Sequence, residues 1–256
     1  MDEFGSIKLI ALDLDGTLVC SDDTISKTSV AVLTKAKEEG YWITILTGRH
    51  VRALEKVNPY LEVNAPVVCL NGAQIASADG KVIYFQKCMN ETSIRQIVEI
   101  MVHLNIHFMV RGIEEELYSP ERHPDLNFNK AETMKIIIHC DDEEKVDILR
   151  KHCEKDKYIQ FVQSGKRLYE IGPKDVNKGT GLKKLLELLH IQKEECLCFG
   201  DYDNDIPAFQ QAGISVCMSN GGENAKHHAH YICPSNDEDG VAKFVERYVL
   251  KETTWI

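Results

Sequence analysis

The sequence has no long hydrophobic run. The apolar stretch Leu9–Leu12 is far too short to span a bilayer, and the start MDEFGSIKLIALDL has no basic segment followed by a long apolar one. We therefore expect a cytoplasmic protein without a membrane partner.

Basic residues are also in short supply, since 30 Lys and Arg stand against 40 Asp and Glu, for a formal net charge of -10. Binding to a nucleic-acid backbone requires clustered Lys and Arg, so we expect no nucleic-acid partner. The acidity also repels anions at long range. A phosphate site in this chain would therefore need local donors and a metal ion.

The cysteines lack the spacing of a zinc site. There are nine, and Cys196 and Cys198 form a C-x-C pair without a matching second pair. Several others lie in apolar runs such as VVCLNG, where buried reduced thiols are usual. We expect neither zinc nor disulfides.

What the chain does contain is an alternation of strand and helix patterns. Apolar, β-branched runs end in polar turns at KLIALDLDG, YWITILTGR, PVVCLNG, CLCFGDYDND and ISVCMSNGG. Helical spacing of apolar residues lies between them, for example over 26–39 and 179–190. The alternation predicts an α/β fold with a doubly wound, Rossmann-like parallel sheet.

The middle of the chain, residues 82–173, has a different pattern. Its strand-like segments are short or amphipathic, which is typical of antiparallel pairing. We therefore predict an α+β domain, 82–173, inserted into a core that comprises 1–81 and 174–256.

Polar residues follow each predicted core strand. Because ligands bind at the carboxyl ends of parallel strands, these residues are the candidates for a site. They are Asp13, Asp15 and Thr17 after the first strand, Thr47 and Arg49 after the second, Asn71 after the third, and Asp201 to Asp205 after a fourth.

Two of these groups are acidic clusters, D-L-D-G-T from Asp13 and G-D-Y-D-N-D from Gly200. Two carboxylate clusters at one sheet edge would repel each other unless a hard cation lay between them. A helix-loop-helix calcium site requires Glu at its twelfth position, and counting from Asp201 that position holds Ala212. The pattern therefore favours Mg²⁺.

A phosphoryl group at this edge would need donors. Thr47 and the backbone amides of Gly48 and Arg49 are candidates. Lys178 is another, because it begins a predicted helix and helix N-termini attract anions.

Taken together, the motifs resemble those of the haloacid dehalogenase superfamily. The four are DLDGT at 13–17, Thr47 in LTGR, Lys178 in NKG, and GDYDND at 200–205. The segments NGA at 71–73 and DEDGVAKFVE also resemble the Cof-type phosphatases, which carry a large cap between the second and third motifs.

The resemblance implies a phosphatase that acts through an aspartyl-phosphate. Asp13 would be the nucleophile and Asp15 the general acid and base. Thr47 and Lys178 would complete the catalytic group by stabilising charge on the transferring oxygens. Mg²⁺ would be held by the Asp13 carboxylate, the Asp15 carbonyl and Asp201.

Further residues are implied around this group. Asp205 would support the metal site, and the substrate-binding candidates are Thr17, Gly48, Arg49, Asn71 and Asn204. In the predicted cap, the spacing does not indicate which residue meets the leaving group among Arg111, Arg122, His123 and Lys166.

The expected substrate is a small phosphorylated metabolite such as a sugar phosphate. Two alternatives stay open: a phosphotransferase or phosphomutase that passes the phosphoryl group to a sugar hydroxyl, and a sugar-phosphate sensor without turnover. The sequence gives no indication of the oligomeric state.

Overall fold

The computed structural model describes residues 4–56, 61–112, 117–118, 133–165 and 167–252. The chain divides into two compact units. The first combines Met1–Phe85 with Asn177–Ile256, and the second is Gln86–Val176.

The strands of the described residues are β1 (Leu9–Leu12), β2 (Trp42–Ile45), β3 (Val67–Cys69), β4 (Gln74–Ala76), β5 (Ile83–Gln86), β6 (Phe108–Gly112), β7 (Leu117–Tyr118), β8 (Thr133–His139), β9 (Ile159–Gly165), β10 (Leu168–Pro173), β11 (Cys196–Gly200), β12 (Ile214–Met218) and β13 (Tyr231–Cys233). The α-helices are α1 (Lys27–Glu38), α2 (Glu91–His103), α3 (Glu143–Lys155), α4 (Lys178–Leu189), α5 (Ile206–Phe209), α6 (Glu223–His228) and α7 (Gly240–Phe244).

The first unit is built on a parallel sheet with the strand order β13-β12-β11-β1-β2. Leu9 and Ala11 pack with Leu182 and Leu185 of α4. Because side chains alternate along a strand, Ile10 and Leu12 face the opposite side, and they too are fully buried. Helix α4 packs against α5 and helix α1 against α7, as in a doubly wound fold.

Helix α4 begins at a reciprocal cap. The Asn177 side chain accepts from the backbone amide of Thr180 at 2.9 Å, and the Thr180 hydroxyl accepts from the backbone amide of Asn177 at 3.0 Å. The helix ends at His190, which is in the left-handed conformation. These bonds fix the start of α4, and with it Lys178, within the first unit.

A small sheet with the order β3-β4-β5 adjoins the end of β2. The link is a parallel bridge between Leu46 and Val68, with a 2.8 Å bond from the Thr47 amide to the Val68 carbonyl. It brings the turn after β3, which contains Asn71, to the edge of the parallel sheet.

The second unit is an antiparallel sheet with helices on one face. Its strand order is β7-β6-β8-β10-β9. Ile97 of α2 and Leu149 of α3 pack with Ile136 and other apolar residues of the sheet. Lys135 and Glu170, from the neighbouring strands β8 and β10, form a buried ion pair at 2.8 Å.

The predicted α/β class with an additional α+β part is confirmed by this architecture. The assignment of residues 82–173 as a specificity cap stays a prediction. Among the described residues, no helix has both the length and the apolar character needed to cross a membrane.

Gly72 supports a close approach between the turn after β3 and the start of α4. Its φ is +98°, and a Cβ there would lie 2.2 Å from the Asn177 carbonyl oxygen. We expect Gly72→Ala to lower the free energy of unfolding by about 3 kcal/mol, because steric overlap adds to left-handed strain. Urea denaturation measures the change.

Gly40→Ala is the matched control. Gly40 has a φ of +97°, but a Cβ there would have no atom of the described residues within 4 Å, so the variant carries the backbone strain without the overlap. Its expected cost is about 1 kcal/mol. Equal losses in the two variants would contradict the close approach at Gly72.

Candidate active site

Asp13 lies at the carboxyl end of β1 and is 5% exposed. Its amide donates to the Phe199 carbonyl of β11 at 3.1 Å, which continues the sheet ladder to the acidic residue. The chain then turns back at Gly16, whose φ is +84°. The Asp13 carboxylate is therefore held at the centre of the sheet edge.

Lys178 is buried, at 1% exposure, and lies between two carboxylates. Its Nζ is 2.6 Å from Asp13 Oδ1 and 2.6 Å from Asp205 Oδ1. The sequence placed this lysine at a helix start, and the structure shows that the side chain joins the first and fourth motifs.

The second oxygen of Asp205 organises the turn after β11. Asp205 Oδ2 accepts from the Asp201 amide at 2.9 Å and from the Tyr202 amide at 3.1 Å. Asp205 thus holds both Lys178 and the backbone that carries Asp201.

Asp13, Asp201 and Asp205 form a carboxylate group in which one oxygen atom from each lies within 4.8 Å of the others. If all three carboxylates ionise, the single positive charge of Lys178 leaves two negative charges unbalanced. Burial, the largest cause, and the neighbouring Asp205 raise the pKa of Asp201 to about 6. This group could hold a cation.

The Asp13 and Lys178 pair is shaped by opposing effects. Burial raises the pKa of Asp13 well above its usual value, although Lys178 acts in the other direction. Burial alone would lower the pKa of Lys178, but Asp13 and Asp205 outweigh it and raise the pKa. Lys178 is therefore charged at neutral pH.

Asp15 points to a different partner. Arg49 Nε donates to Asp15 Oδ2 at 3.0 Å, and Arg49 Nη2 pairs with Asp15 Oδ1. The side chain of Asp15 is 56% exposed and that of Arg49 is 33% exposed. Unlike Asp13, Asp15 thus lies at the exposed side of the site, where it forms a bidentate salt bridge with Arg49.

The turn after β2 is linked to the turn after β3. Thr47 is fully buried, and its Oγ1 accepts from the Arg49 amide at 3.1 Å. The backbone amide of Asn71 donates to the Thr47 carbonyl at 3.0 Å, and the side-chain oxygen Asn71 Oδ1 accepts from Asn204 Nδ2 at 3.4 Å. A Cβ on Gly48 would lie 3.3 Å from the same Asn71 oxygen.

Thr17 completes the connections, with its Oγ1 3.4 Å from Asp201 Oδ1. The structure thus brings all eleven predicted site residues into two linked groups. One contains Asp13, Lys178, Asp205, Asp201 and Thr17, and the other Asp15, Arg49, Thr47, Gly48, Asn71 and Asn204.

Not every sequence expectation is covered by these groups. Arg122, His123 and Lys166 lie outside the described residues, and Arg111 lies on β6 of the second unit. The sequence predicts Asp15 and Arg49 at the same edge of the sheet, but no pattern in it indicates that their side chains pair.

A family model and two curated proteins match this chain over most of its length. The family model of haloacid dehalogenase-like hydrolases matches residues 10–245. A 5-amino-6-(5-phospho-D-ribitylamino)uracil phosphatase of Bacillus subtilis, YitU, is 29% identical over 263 residues, covering 94% of this chain and 97% of that protein. The pyridoxal phosphate phosphatase YbhA of Escherichia coli is 26% identical over 269 residues, covering 95% and 99%.

Solved structures agree with these relatives. A haloacid dehalogenase-like hydrolase from Bacteroides thetaiotaomicron superposes with a TM-score of 0.80 at 25% identity, covering 94% of this chain and 99% of that one. The family model covers most of the sequence, including the segments that carry all four motifs. The chain therefore belongs to the haloacid dehalogenase-like hydrolases, the superfamily that its motifs predicted.

Proposed function

We propose that this chain is a Mg²⁺-dependent phosphatase that hydrolyses small phosphomonoesters through an aspartyl-phosphate on Asp13. The observation that carries the proposal is the buried lysine bridge, in which Lys178 contacts both Asp13 and Asp205 at 2.6 Å. The proposed nucleophile Asp13, the cationic Lys178 and a cluster of carboxylates suited to a metal ion thus lie at one edge of the sheet.

The donor set fits Mg²⁺. The carboxylates of Asp13, Asp201 and Asp205 offer hard oxygen atoms within 4.8 Å of one another, and a bound cation would offset the negative charge that Lys178 does not balance when all three are ionised. We assign Asp13, Asp201 and the Asp15 carbonyl as ligands, and Asp205 as the support that orients the Asp201 turn. Bound Mg²⁺ would neutralise charge on the phosphoryl oxygens.

In the first step, an oxygen of Asp13 forms a bond to phosphorus while the bond to the ester oxygen breaks. Asp15 gives its proton to the leaving oxygen, so that the product departs as an alcohol. Thr47 and Lys178 donate to the transferring oxygens, where charge accumulates.

In the second step, Asp15 takes a proton from water as the water oxygen attacks phosphorus. The bond between Asp13 and phosphorus breaks and inorganic phosphate leaves. Because Arg49 binds Asp15 through two bonds in this structure, Asp15 must exchange that partner for the ester oxygen during turnover.

The relatives support a proposal for the substrate class. The two phosphatases named above act on a phosphorylated ribitylamino compound and on pyridoxal phosphate, respectively, both small phosphomonoesters. We propose the same class for this chain, with Thr17, Gly48, Arg49, Asn71 and Asn204 as the phosphate-side contacts, and with recognition of the leaving group by the second unit.

Removal of the metal tests this function. We expect wild-type protein with Mg²⁺ to release phosphate from a panel of sugar phosphates, pyridoxal phosphate and nucleotides, and to stop when EDTA is added. Mg²⁺ should also stabilise the fold, by about 2.7 kcal/mol at 100 times its Kd. Thermal denaturation measures this without reference to activity.

Asp201→Asn should lose the Mg²⁺-induced stabilisation, whereas Asp22→Asn, which changes an exposed aspartate, should keep it. Phosphate release that persists in EDTA would refute the metal requirement. Transfer of phosphate to a sugar hydroxyl instead of water would indicate a phosphomutase. Mg²⁺ binding with no turnover of any ester would indicate a sensor.

A further inference from the structure

Two asparagines that belong to none of the four motifs hold the turn that follows Asp13. The Gly16 carbonyl accepts from Asn220 Nδ2 at 2.8 Å, and the Val19 carbonyl accepts from Asn236 Nδ2 at 2.8 Å. The two asparagines also bond each other, since the backbone amide of Asn236 donates to Asn220 Oδ1 at 3.2 Å. We refer to Asn220 and Asn236 as the asparagine pair.

Asn220 lies in the turn 219–222 after β12, and this turn also contacts the second acidic loop. The Gly222 amide donates to the Asp201 carbonyl at 2.8 Å. One short turn is thus bonded to the backbone of Gly16 on one side and of Asp201 on the other.

The two acidic loops meet where this turn holds them. A Cβ on Gly16 would lie only 2.4 Å from Asp201 Oδ2, so the two loops are in close contact. A small displacement of either loop therefore changes the distance between the carboxylates of Asp13 and Asp201. Metal ligation and attack on phosphorus depend on that distance, because displacing a reacting group by about 1 Å costs on the order of 10²-fold in rate.

We propose that Asn220, supported by Asn236, is a positioning residue that sets the separation between Asp13 and Asp201. This inference rests on the proposed phosphatase function. Asn220 acts through the Gly16 carbonyl and not on the substrate. Asparagine suits the place because one side chain supplies the donor for Gly16 and the acceptor for the Asn236 amide.

The test uses Asn220→Ala in the full chain, with p-nitrophenyl phosphate as substrate and Mg²⁺ varied. We expect kcat to fall by about 10-fold or more, because the loops lose their common anchor. The Mg²⁺ concentration for half-maximal activity should rise, while KM at saturating Mg²⁺ and the Tm stay close to wild type. Asn220 is exposed, so its truncation leaves the core intact.

Two further variants separate donor from acceptor. Asn220→Asp keeps an acceptor but turns a carboxylate oxygen towards the Gly16 carbonyl, so it should be no better than Asn220→Ala. Asn220→Gln keeps both groups and should recover part of kcat. Asn236→Ala should give the same kinetic change, and the double variant should lose less than the two single losses combined, because the residues act as a unit.

Asn224→Ala is the matched control. Asn224 is an exposed asparagine beyond the same turn, and its Nδ2 bonds Asp203 at 3.1 Å. It should behave as wild type. Wild-type kcat and Mg²⁺ dependence in Asn220→Ala, or an equal loss in Asn224→Ala, would overturn the proposal.

A failure of the proposed function gives a different result. If wild type releases no phosphate from any ester, calorimetric titration with Mg²⁺ still compares the same variants. Weaker Mg²⁺ binding in Asn220→Ala than in Asn224→Ala would support the positioning role, and equal binding in the two would reject it.

Discussion

Asp13→Asn is expected to lower kcat by on the order of 10⁴-fold, because an amide cannot form the acyl-phosphate bond. The variant should nevertheless fold. Burial already disfavours the charged carboxylate at this position, and Lys178 keeps its bond to Asp205. Phosphate release in saturating Mg²⁺ measures the activity, and Tm verifies the fold.

A single-turnover experiment locates the phosphate. Acid-quenched wild-type protein should retain labelled phosphate that hydroxylamine removes, and Asp13→Asn should retain none. The control is Asp203→Asn, which changes an exposed aspartate of the same sheet edge. Turnover by Asp13→Asn near the level of that control would refute the covalent route.

Lys178→Met should damage both stability and catalysis. Removing one partner of a buried ion pair leaves charge without compensation, at a cost of about 3–5 kcal/mol. Here two carboxylates, those of Asp13 and Asp205, lose the same cation. The kcat should fall by about 10²–10³-fold, as for the loss of an electrostatic donor. Urea denaturation and phosphate release measure the two effects.

Lys8→Met is the corresponding surface change, because Lys8 pairs with Glu195 at 2.6 Å while its side chain is 60% exposed. Its expected cost is at most about 1 kcal/mol. If Lys178→Met were as stable and as active as Lys8→Met, the lysine bridge would have neither role. A stable but inactive Lys178→Met would assign the lysine to catalysis alone.

The sequence predicts the carboxyl-end residues well because each follows an apolar run that ends in a polar turn. Asp13 and Asp201 follow β1 and β11, which are neighbours in the sheet. Lys178 precedes a clear helical spacing of leucines in α4. Strand and helix periodicity therefore locates these residues, since parallel strands end at a common edge.

Side-chain partners beyond those patterns depend on the turns. The salt bridge between Arg49 and Asp15 is set by rotamers at the surface, and no periodicity relates the two positions. The asparagine pair is similar, because Asn220 and Asn236 bond backbone carbonyls in a loop that lies 204 and 217 positions earlier, respectively. Every residue has a backbone carbonyl, so such bonds require no complementary residue type that a sequence pattern could reveal.

The buried ion pair between Lys135 and Glu170 in the second unit is another contact that the sequence pattern does not predict. The alternation in β8 indicates that Lys135 faces away from Ile136, but not that Glu170 lies beside it. β8 and β10 are neighbours although β9 lies between them in the chain. Strand order decides which charges meet, and periodicity alone does not determine it.

The reciprocal cap of α4 has a consequence for the point where the chain leaves the second unit. The chain returns to the first unit at Asn177, and Asn177 is itself the cap that fixes the next residue, Lys178. The contact between Gly72 and the Asn177 carbonyl anchors this junction from the core side. The register of Lys178 is therefore a local property of the first unit, because the bonds and contacts that set it all join residues of that unit.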